Sequence, residues 1–347
     1  MTVHYNRQGA PAMQAPGKYK ERTMKRKIKH LEKEVSALGL GCWAIGGPFW
    51  SGDEPHGWGD VDDAESIRAI HRALDLGINL LDTANVYGAG HSERVLAKAL
   101  EGRRKDVVIV TKFNAVFDEE TRQVTGSDAT PGGIRQACEA SLRRLNTDYI
   151  DVYLFHDNGF PPEKARPVRD TLDELVTTGK IRTYGWSTDF PQSAAFFADG
   201  KHCSTIEVEL NVLNDNVAVL DVCEENSLTA LNRGPLAMGI LSGKYKTGSD
   251  LAINDVRGKK SPEWMKYFKD GKPNPEFLKK MDAVREILTS NGRTLAQGAI
   301  AWLWARSDAN IPIPGFRTVK QVEENAKAMD HGPLTAFQMT EIAGLLR

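Results

Sequence analysis

Residues 62–88 read DDAESIRAIHRALDLGINLLDTANVYG. Asp62 is placed to cap a helix with Glu65 three positions on, Ile67, Ile70 and Leu74 form an apolar stripe, and Gly77 ends it. The run Ile78–Asp82 that follows is short and mainly apolar, and it closes on an aspartate. Helix, glycine and buried strand in succession make one unit, and the same unit recurs along the chain.

The β-rich runs are Ser36–Gly41, Ile78–Asp82, Val107–Lys112, Tyr149–His156, Ile181–Ser187, Thr205–Asn211, Leu228–Arg233 and Asn310–Pro314. Amphipathic segments lie between them. Thr130-Pro131 and Asn274-Pro275 each open a helix, and Thr294…Gln297 and Thr318…Gln321 have capping-box spacing. Strand and helix in alternation imply a parallel sheet, and eight such units are the count that closes an α/β (β/α)8 TIM barrel. A doubly wound open sheet is the competing architecture. No linker divides the chain, so residues 25–347 are expected to form one domain. Before it, residues 1–24 are expected to be a flexible extension, with Met24 an alternative start. Lys25–Lys29 and Lys33–Ala37 are spaced to pair as a hairpin.

Composition narrows the function. The chain has 347 residues and a net charge of −1, from 45 basic and 46 acidic side chains. That balance gives no field for nucleic acid. No apolar run reaches the roughly 20 residues of a membrane helix, and no apolar signal segment opens the chain. A cytoplasmic location is the default expectation. The four cysteines form no C-x-x-C pair and the eight histidines no cluster, so neither disulfides nor metal are expected.

In parallel α/β folds the chemistry lies at the C-terminal ends of the strands. Those ends carry Asp82, Lys112, His156, Ser187 and Arg233. Tyr87 follows Asp82 by five residues, and a loop of that length folds its phenol back over the barrel mouth beside Lys112. A phenol is a weak acid at neutral pH. An ammonium about 4 Å away favours the phenolate by roughly 4 kcal/mol at an effective dielectric of 20, or about three pKa units at most. Asp82 would hold the lysine charged, and a neutral His156 would donate to a substrate oxygen. Together these groups form a proton donor and clamp for a carbonyl. A Schiff-base lyase built on Lys112 would need that lysine neutral and leaves Asp82 and Tyr87 idle.

Gly39-Leu40-Gly41-Cys42-Trp43-Ala44 matches the dinucleotide fingerprint in letters only, since Ile45-Gly46-Gly47-Pro48 follows where a helix must begin. A better phosphate site is the rim after the last two strands. Gly315-Phe316-Arg317 leads into the helix capped by Thr318, whose free N–H groups and dipole suit an anion. Pro235-Leu236-Ala237-Met238-Gly239-Ile240-Leu241-Ser242-Gly243-Lys244 supplies glycines for close approach and a lysine for the pyrophosphate. Phe49, Trp50 and Trp58, with Trp264, Tyr267 and Phe268, are candidate walls of an apolar substrate pocket.

Leu80-Leu81-Asp82-Thr83-Ala84 with Tyr87-Gly88, Val110-Thr111-Lys112 and Asp151-Val152-Tyr153-Leu154-Phe155-His156 resemble the three catalytic segments of the aldo-keto reductases. The resemblance runs over roughly residues 25 to 330. It implies the catalytic tetrad Asp82, Tyr87, Lys112 and His156, and reduction of a small-molecule aldehyde or ketone with NADPH (NADP+). Trp43 would lie beside the nicotinamide and substrate, with Trp50, Tyr87 and His156 also touching substrate. Pro235, Leu236, Gly239, Ser242, Lys244, Gly315, Phe316, Arg317, Gln321, Glu324 and Asn325 would hold the adenosine and phosphate end. Ser187, Thr188 and Glu207 would hold the carboxamide beside Asp82, and Arg233 would lie against the ring. Thr188 stands where Asn is usual, Glu207 where Gln is usual, and Arg233 where an aromatic usually stacks. The chain also resembles potassium-channel β subunits, which implies an alternative role as an NADPH-binding, redox-sensing regulatory subunit with a protein partner.

Overall fold

The computed structural model describes residues 24–347. Of the expected N-terminal extension, residues 1–23 lie outside that range. Met24 is part of the fold, since its carbonyl accepts from Ala37 N at 2.7 Å. The hairpin forms as Lys25–Lys27 antiparallel to Glu34–Ser36.

Eight parallel strands follow: β1 (Leu40–Gly41), β2 (Leu80–Asp82), β3 (Val108–Phe113), β4 (Ile150–Phe155), β5 (Ile181–Ser187), β6 (Cys203–Glu209), β7 (Thr229–Arg233) and β8 (Asn310–Pro312). Each is hydrogen-bonded to its sequence neighbour in the set. The sheet closes where Gly39 N donates to Pro312 O at 2.9 Å and Gly41 N to Pro314 O at 3.0 Å. The architecture is the closed (β/α)8 barrel, and the open doubly wound sheet is excluded. One expected strand is divided: Ser36 belongs to the hairpin, and β1 begins at Leu40.

Side chains alternate across a strand, so every second residue points into the barrel. Leu80, Val108, Val110, Val152, Leu154, Leu231, Ile311 and Ile313 form one apolar cluster inside, plugged below by Ile28 and Val35 of the hairpin. The same alternation continued upward brings Asp82, Lys112 and His156 to the inner face at the mouth. The helices α1 (Asp63–Asp75), α2 (His91–Ala99), α3 (Pro131–Leu145), α4 (Arg166–Thr177), α5 (Pro191–Ala198) and α6 (Val217–Glu225) alternate with the strands outside. Beyond β7, α7 (Pro275–Thr289) and α8 (Leu295–Arg306) precede β8, and α9 (Val319–Ala326) follows it.

The caps form as local chemistry dictates. Asp62 accepts from Glu65 N at 3.1 Å, and Thr294 with Gln297 makes a complete capping box. The box at Thr318 is incomplete. Thr318 accepts from Gln321 N, but the Gln321 side chain turns to Arg317 N at 2.7 Å. The glycines of the apparent fingerprint serve the barrel seam. A Cβ on Gly41 would stand 2.6 Å from Ile313 O, and one on Gly39 would stand 2.6 Å from Leu80 Cδ2.

Gly41→Ala is therefore expected to destabilise the barrel by about 1–3 kcal/mol, read as a lowered midpoint of urea unfolding. An unchanged midpoint would show that the seam has room for a side chain.

Candidate active site

The mouth is built around a buried ammonium. Lys112 is fully buried and donates to both Asp82 oxygens at 2.8 Å and to Thr83 O at 2.9 Å. The Tyr87 hydroxyl lies 3.4 Å from the same nitrogen. Glu207, on β6, brings Oε2 to 3.1 Å of it as a second carboxylate, and that oxygen has no hydrogen-bond partner of its own. Ser187 donates to the other Glu207 oxygen at 3.3 Å. Tyr87 reaches the mouth because its loop folds back hard. Gly88 has φ +62°, and a Cβ there would collide with Gly46 O of the first of two long loops, residues 42–61 after β1 and residues 234–274 after β7.

The electrostatics follow from burial and from the two carboxylates. Desolvation alone would depress the Lys112 ammonium, but Asp82 and Glu207 outweigh it and hold the amine charged beyond the ordinary lysine range. A charged lysine is no Schiff-base nucleophile. Burial and the Glu207 charge lift the Asp82 carboxyl well above its usual range against the pull of Lys112. His156 is pushed down to about 3 by burial, then by Lys112 and Arg233, so its imidazole is neutral and can donate. The expected lowering of the Tyr87 pKa does not occur. Burial raises it, and the two carboxylates offset much of the Lys112 pull.

Aromatic rings roof the site. Trp43 stacks on Tyr87 with centroids 5.8 Å apart, and His156 meets the Tyr87 ring edge-on at 6.1 Å. Trp58 and Trp264 pack against Trp43 at 5.4 and 6.2 Å.

A model of the aldo/keto reductase family matches residues 37–347. The chain belongs to the aldo-keto reductase family. It is 32% identical over 301 residues to the aldo-keto reductase YhdN of Bacillus subtilis, with 84% of each chain covered. It is 31% identical over 306 residues to the NADP(+) aldo-keto reductase yakc of Schizosaccharomyces pombe, covering 85% of this chain and 84% of that one. The solved structure of a glycerol dehydrogenase from Gluconobacter oxydans superposes with a TM-score of 0.78 at 30% identity, covering 93% of this chain and 95% of that one.

In this aldo-keto reductase Asp82, Tyr87, Lys112 and His156 converge as expected, with Ser187 and Glu207 beside them. Thr188 is buried next to them, its hydroxyl 3.5 Å from Asn158 O. Arg233 sits at the mouth, ion-paired with Asp189 and 3.9 Å from Glu209. Burial and packing place the remaining rim residues. Phe316 is 1% exposed and packs into the core, leaving only its backbone for a ligand. Trp50 lies half-buried in a two-residue strand paired with Pro55, its backbone N–H donating to Arg122 O. Tyr267 and Phe268 do not wall a pocket. Tyr267 is buried with its hydroxyl on Glu209 at 2.5 Å, and Phe268 packs on Tyr245.

Two residues escaped the sequence reading. His56 stands between Phe49 and Trp264, with ring centroids at 6.0 and 6.4 Å. Arg257 is buried, pairs with both oxygens of Asp255, and donates to Met238 O at 3.0 Å and Tyr245 Oη at 2.8 Å. It also covers the Trp58 ring at 4.3 Å, joining the two long loops. Neither forms a motif that a sequence reading would single out, because the contacts that place them at the mouth, Arg257 with Trp58 and His56 with Trp264, are far apart in sequence.

Lys112 is the sole ammonium facing Asp82 and Glu207 among these contacts. Lys112→Met is expected to cost about 3–5 kcal/mol at neutral pH, because it leaves buried charge unpaired. Part of the loss should return on acidification as the carboxylates take up protons. Urea unfolding at several pH values checks this, and a pH-independent loss would contradict it.

Proposed function

We propose that this aldo-keto reductase reduces a small aldehyde or ketone to an alcohol with NADPH, Tyr87 being the general acid. The observation that carries the reading is Tyr87 Oη, 3.4 Å from the Lys112 ammonium, with His156 and Trp43 around its ring.

The residues at the rim fit an extended dinucleotide. Ala237, Met238 and Gly239 have φ of +47°, +54° and +99° in succession. Strain of this kind in two non-glycine residues marks a loop shaped for a ligand, and Arg257 holds it at Met238 O. Across the mouth, the N-terminal turn of α9 is exposed, its Val319 N–H donating to Glu65 and its Gln321 N–H to Thr318, so the positive helix end rather than these two donors would draw an anion. The exposed Arg317 beside it reaches over to the carbonyls of Trp58 and Asp60. Gly315, the Phe316 backbone, Arg317, Gln321, Glu324 and Asn325 would take the adenosine end. Pro235, Leu236, Gly239, Ser242 and Lys244 would take the pyrophosphate. Ser187, Thr188 and the unpartnered Glu207 oxygen would take the carboxamide, with Arg233 and Trp43 beside the ring.

The bound nicotinamide supplies a hydride to the carbonyl carbon. The chain's own groups handle the oxygen: neutral His156 donates a hydrogen bond to it, and Tyr87 Oη gives it the proton. The phenolate left behind faces the Lys112 ammonium at 3.4 Å until solvent reprotonates it. The reverse sequence oxidises the alcohol. Trp43, Trp58, Trp264 and His56 favour a substrate with an apolar or aromatic body. Because His156 titrates at about 3, it stays neutral across roughly pH 5 to 8 and contributes no limb to the rate profile there.

Tyr87→Phe is expected to lower carbonyl reduction by about 10²–10⁴-fold while NADPH still quenches tryptophan fluorescence. The wild type, assayed with a panel of aldehydes and ketones and each reduced nicotinamide separately, should consume NADPH steadily. Full turnover in Tyr87→Phe would overturn the assignment. A tight NADPH complex with no turnover on any carbonyl would favour the regulatory-subunit reading.

A further inference from the structure

We propose that Glu207 is a positioning residue that keeps Tyr87 in its protonated, proton-donating form and so biases the site towards carbonyl reduction over alcohol oxidation. The inference rests on Tyr87 being the acid.

The geometry of one ammonium shared by two carboxylates points to it. A lysine has three protons to give. At Lys112 the close acceptors are the two Asp82 oxygens and Thr83 O, all within 2.9 Å, and the Tyr87 oxygen is the farthest partner at 3.4 Å. The phenol oxygen is therefore poorly served, and a phenolate there would gain little direct hydrogen bonding. One carboxylate is enough to neutralise the ammonium, and Asp82 accepts from it through both oxygens at 2.8 Å. Glu207 then adds a second negative charge, 3.1 Å from the same nitrogen. It is 1% exposed, and its Oε2 lacks a hydrogen-bond partner.

Those two separations place the Glu207 carboxylate within about 6.5 Å of Tyr87 Oη. Every ionisable group facing Tyr87 enters the balance. Lys112 and, more distantly, Arg233 favour the phenolate; Asp82 and Glu207 oppose it; His156 is neutral. Removing one of the two opposing charges should tip the balance. At that distance and an effective dielectric of 20, one unit charge shifts a neighbour by about one to two pKa units.

The direction of the bias follows from proton bookkeeping. Reduction needs the phenol, because the Oη–H bond breaks as the substrate oxygen gains its proton and the carbon gains the hydride. Oxidation needs the phenolate, which takes the alcohol proton as the hydride returns to NADP+. Holding the phenol protonated to high pH keeps the acid available and withholds the base.

The test compares wild type, Glu207→Gln, Glu207→Asp and Tyr87→Phe. Tyrosinate absorbance is titrated in each without cofactor, Tyr87→Phe identifying the Tyr87 contribution. Rates of alcohol oxidation with NADP+ are followed against pH, using a deuterated alcohol to confirm that the chemical step is observed. In Glu207→Gln the Tyr87 signal and the alkaline rise of oxidation should both emerge about one to two pH units lower. Glu207→Asp, which keeps the charge, should restore the wild-type profile. If the glutamine variant does not fold, Glu207→Met removes the same charge with an apolar side chain and should give the same shift. Unmoved titration and profile, with only a weakened affinity for NADPH, would overturn the inference and leave Glu207 as a carboxamide holder. Failure of the acid assignment itself is seen separately, as retained turnover in Tyr87→Phe.

Discussion

A charged lysine sealed at the top of an apolar barrel is the constraint around which the rest of this protein is arranged. An isolated ammonium costs several kcal/mol to bury, and Lys112 is fully buried. The barrel meets that cost with groups delivered from different strands: Asp82 at the end of β2, Thr83 O just beyond it, and Glu207 on β6. The ion pair thus links parts of the sheet that no single helix or loop joins. Breaking it would loosen the mouth as well as remove its chemistry. Beneath Lys112 on its own strand lie Val108 and Val110 of the apolar cluster, which offer the charge no polar partner.

The same pair explains why the loops above are so tightly specified. Tyr87 reaches Lys112 only if its loop doubles back, and the close approach of Gly88 to Gly46 brings the first long loop down over it. Trp43 then lies flat on the phenol. Arg257 grips Met238 O from below and Trp58 from the side, tying the second long loop to the first. Arg317 reaches from the opposite side to the carbonyls of Trp58 and Asp60. The mouth is closed by contacts between loops distant in sequence, and the barrel positions their ends.

Much of the barrel was legible in the sequence because strand alternation is strictly local. Once Ile78–Asp82 and Val107–Lys112 are read as strands, period two alone brings Asp82 and Lys112 to one face. Asp62, Thr130 and Thr294 announced their helices for the same reason, each cap being a contact with the residue three positions on. The convergence of Tyr87 and His156 on Lys112 was legible only through the order of the motifs. The pocket walls were not. Tyr267 and Phe268 look as fit for a pocket as Trp43 and Trp264, and only the packing of the loops separates them. Phe316 turned into the core because the residue after Gly315 faces back towards the helices. The contact of Glu207 with Lys112 spans β3 to β6 across the barrel, and no periodicity within either strand reports it. The expected lowering at Tyr87 failed because it left out burial first and then the two carboxylates that oppose Lys112.

The central claim is that these side chains converge on one carbonyl oxygen, and a crystal structure of the ternary complex tests it most directly. With NADP+ and an unreactive carbonyl analogue bound, the analogue's oxygen should lie about 2.6–3.2 Å from both Tyr87 Oη and an imidazole nitrogen of His156, with the nicotinamide beside it. A carbonyl oxygen bound away from Tyr87, or a dinucleotide seated at the hairpin end of the barrel, would contradict the account.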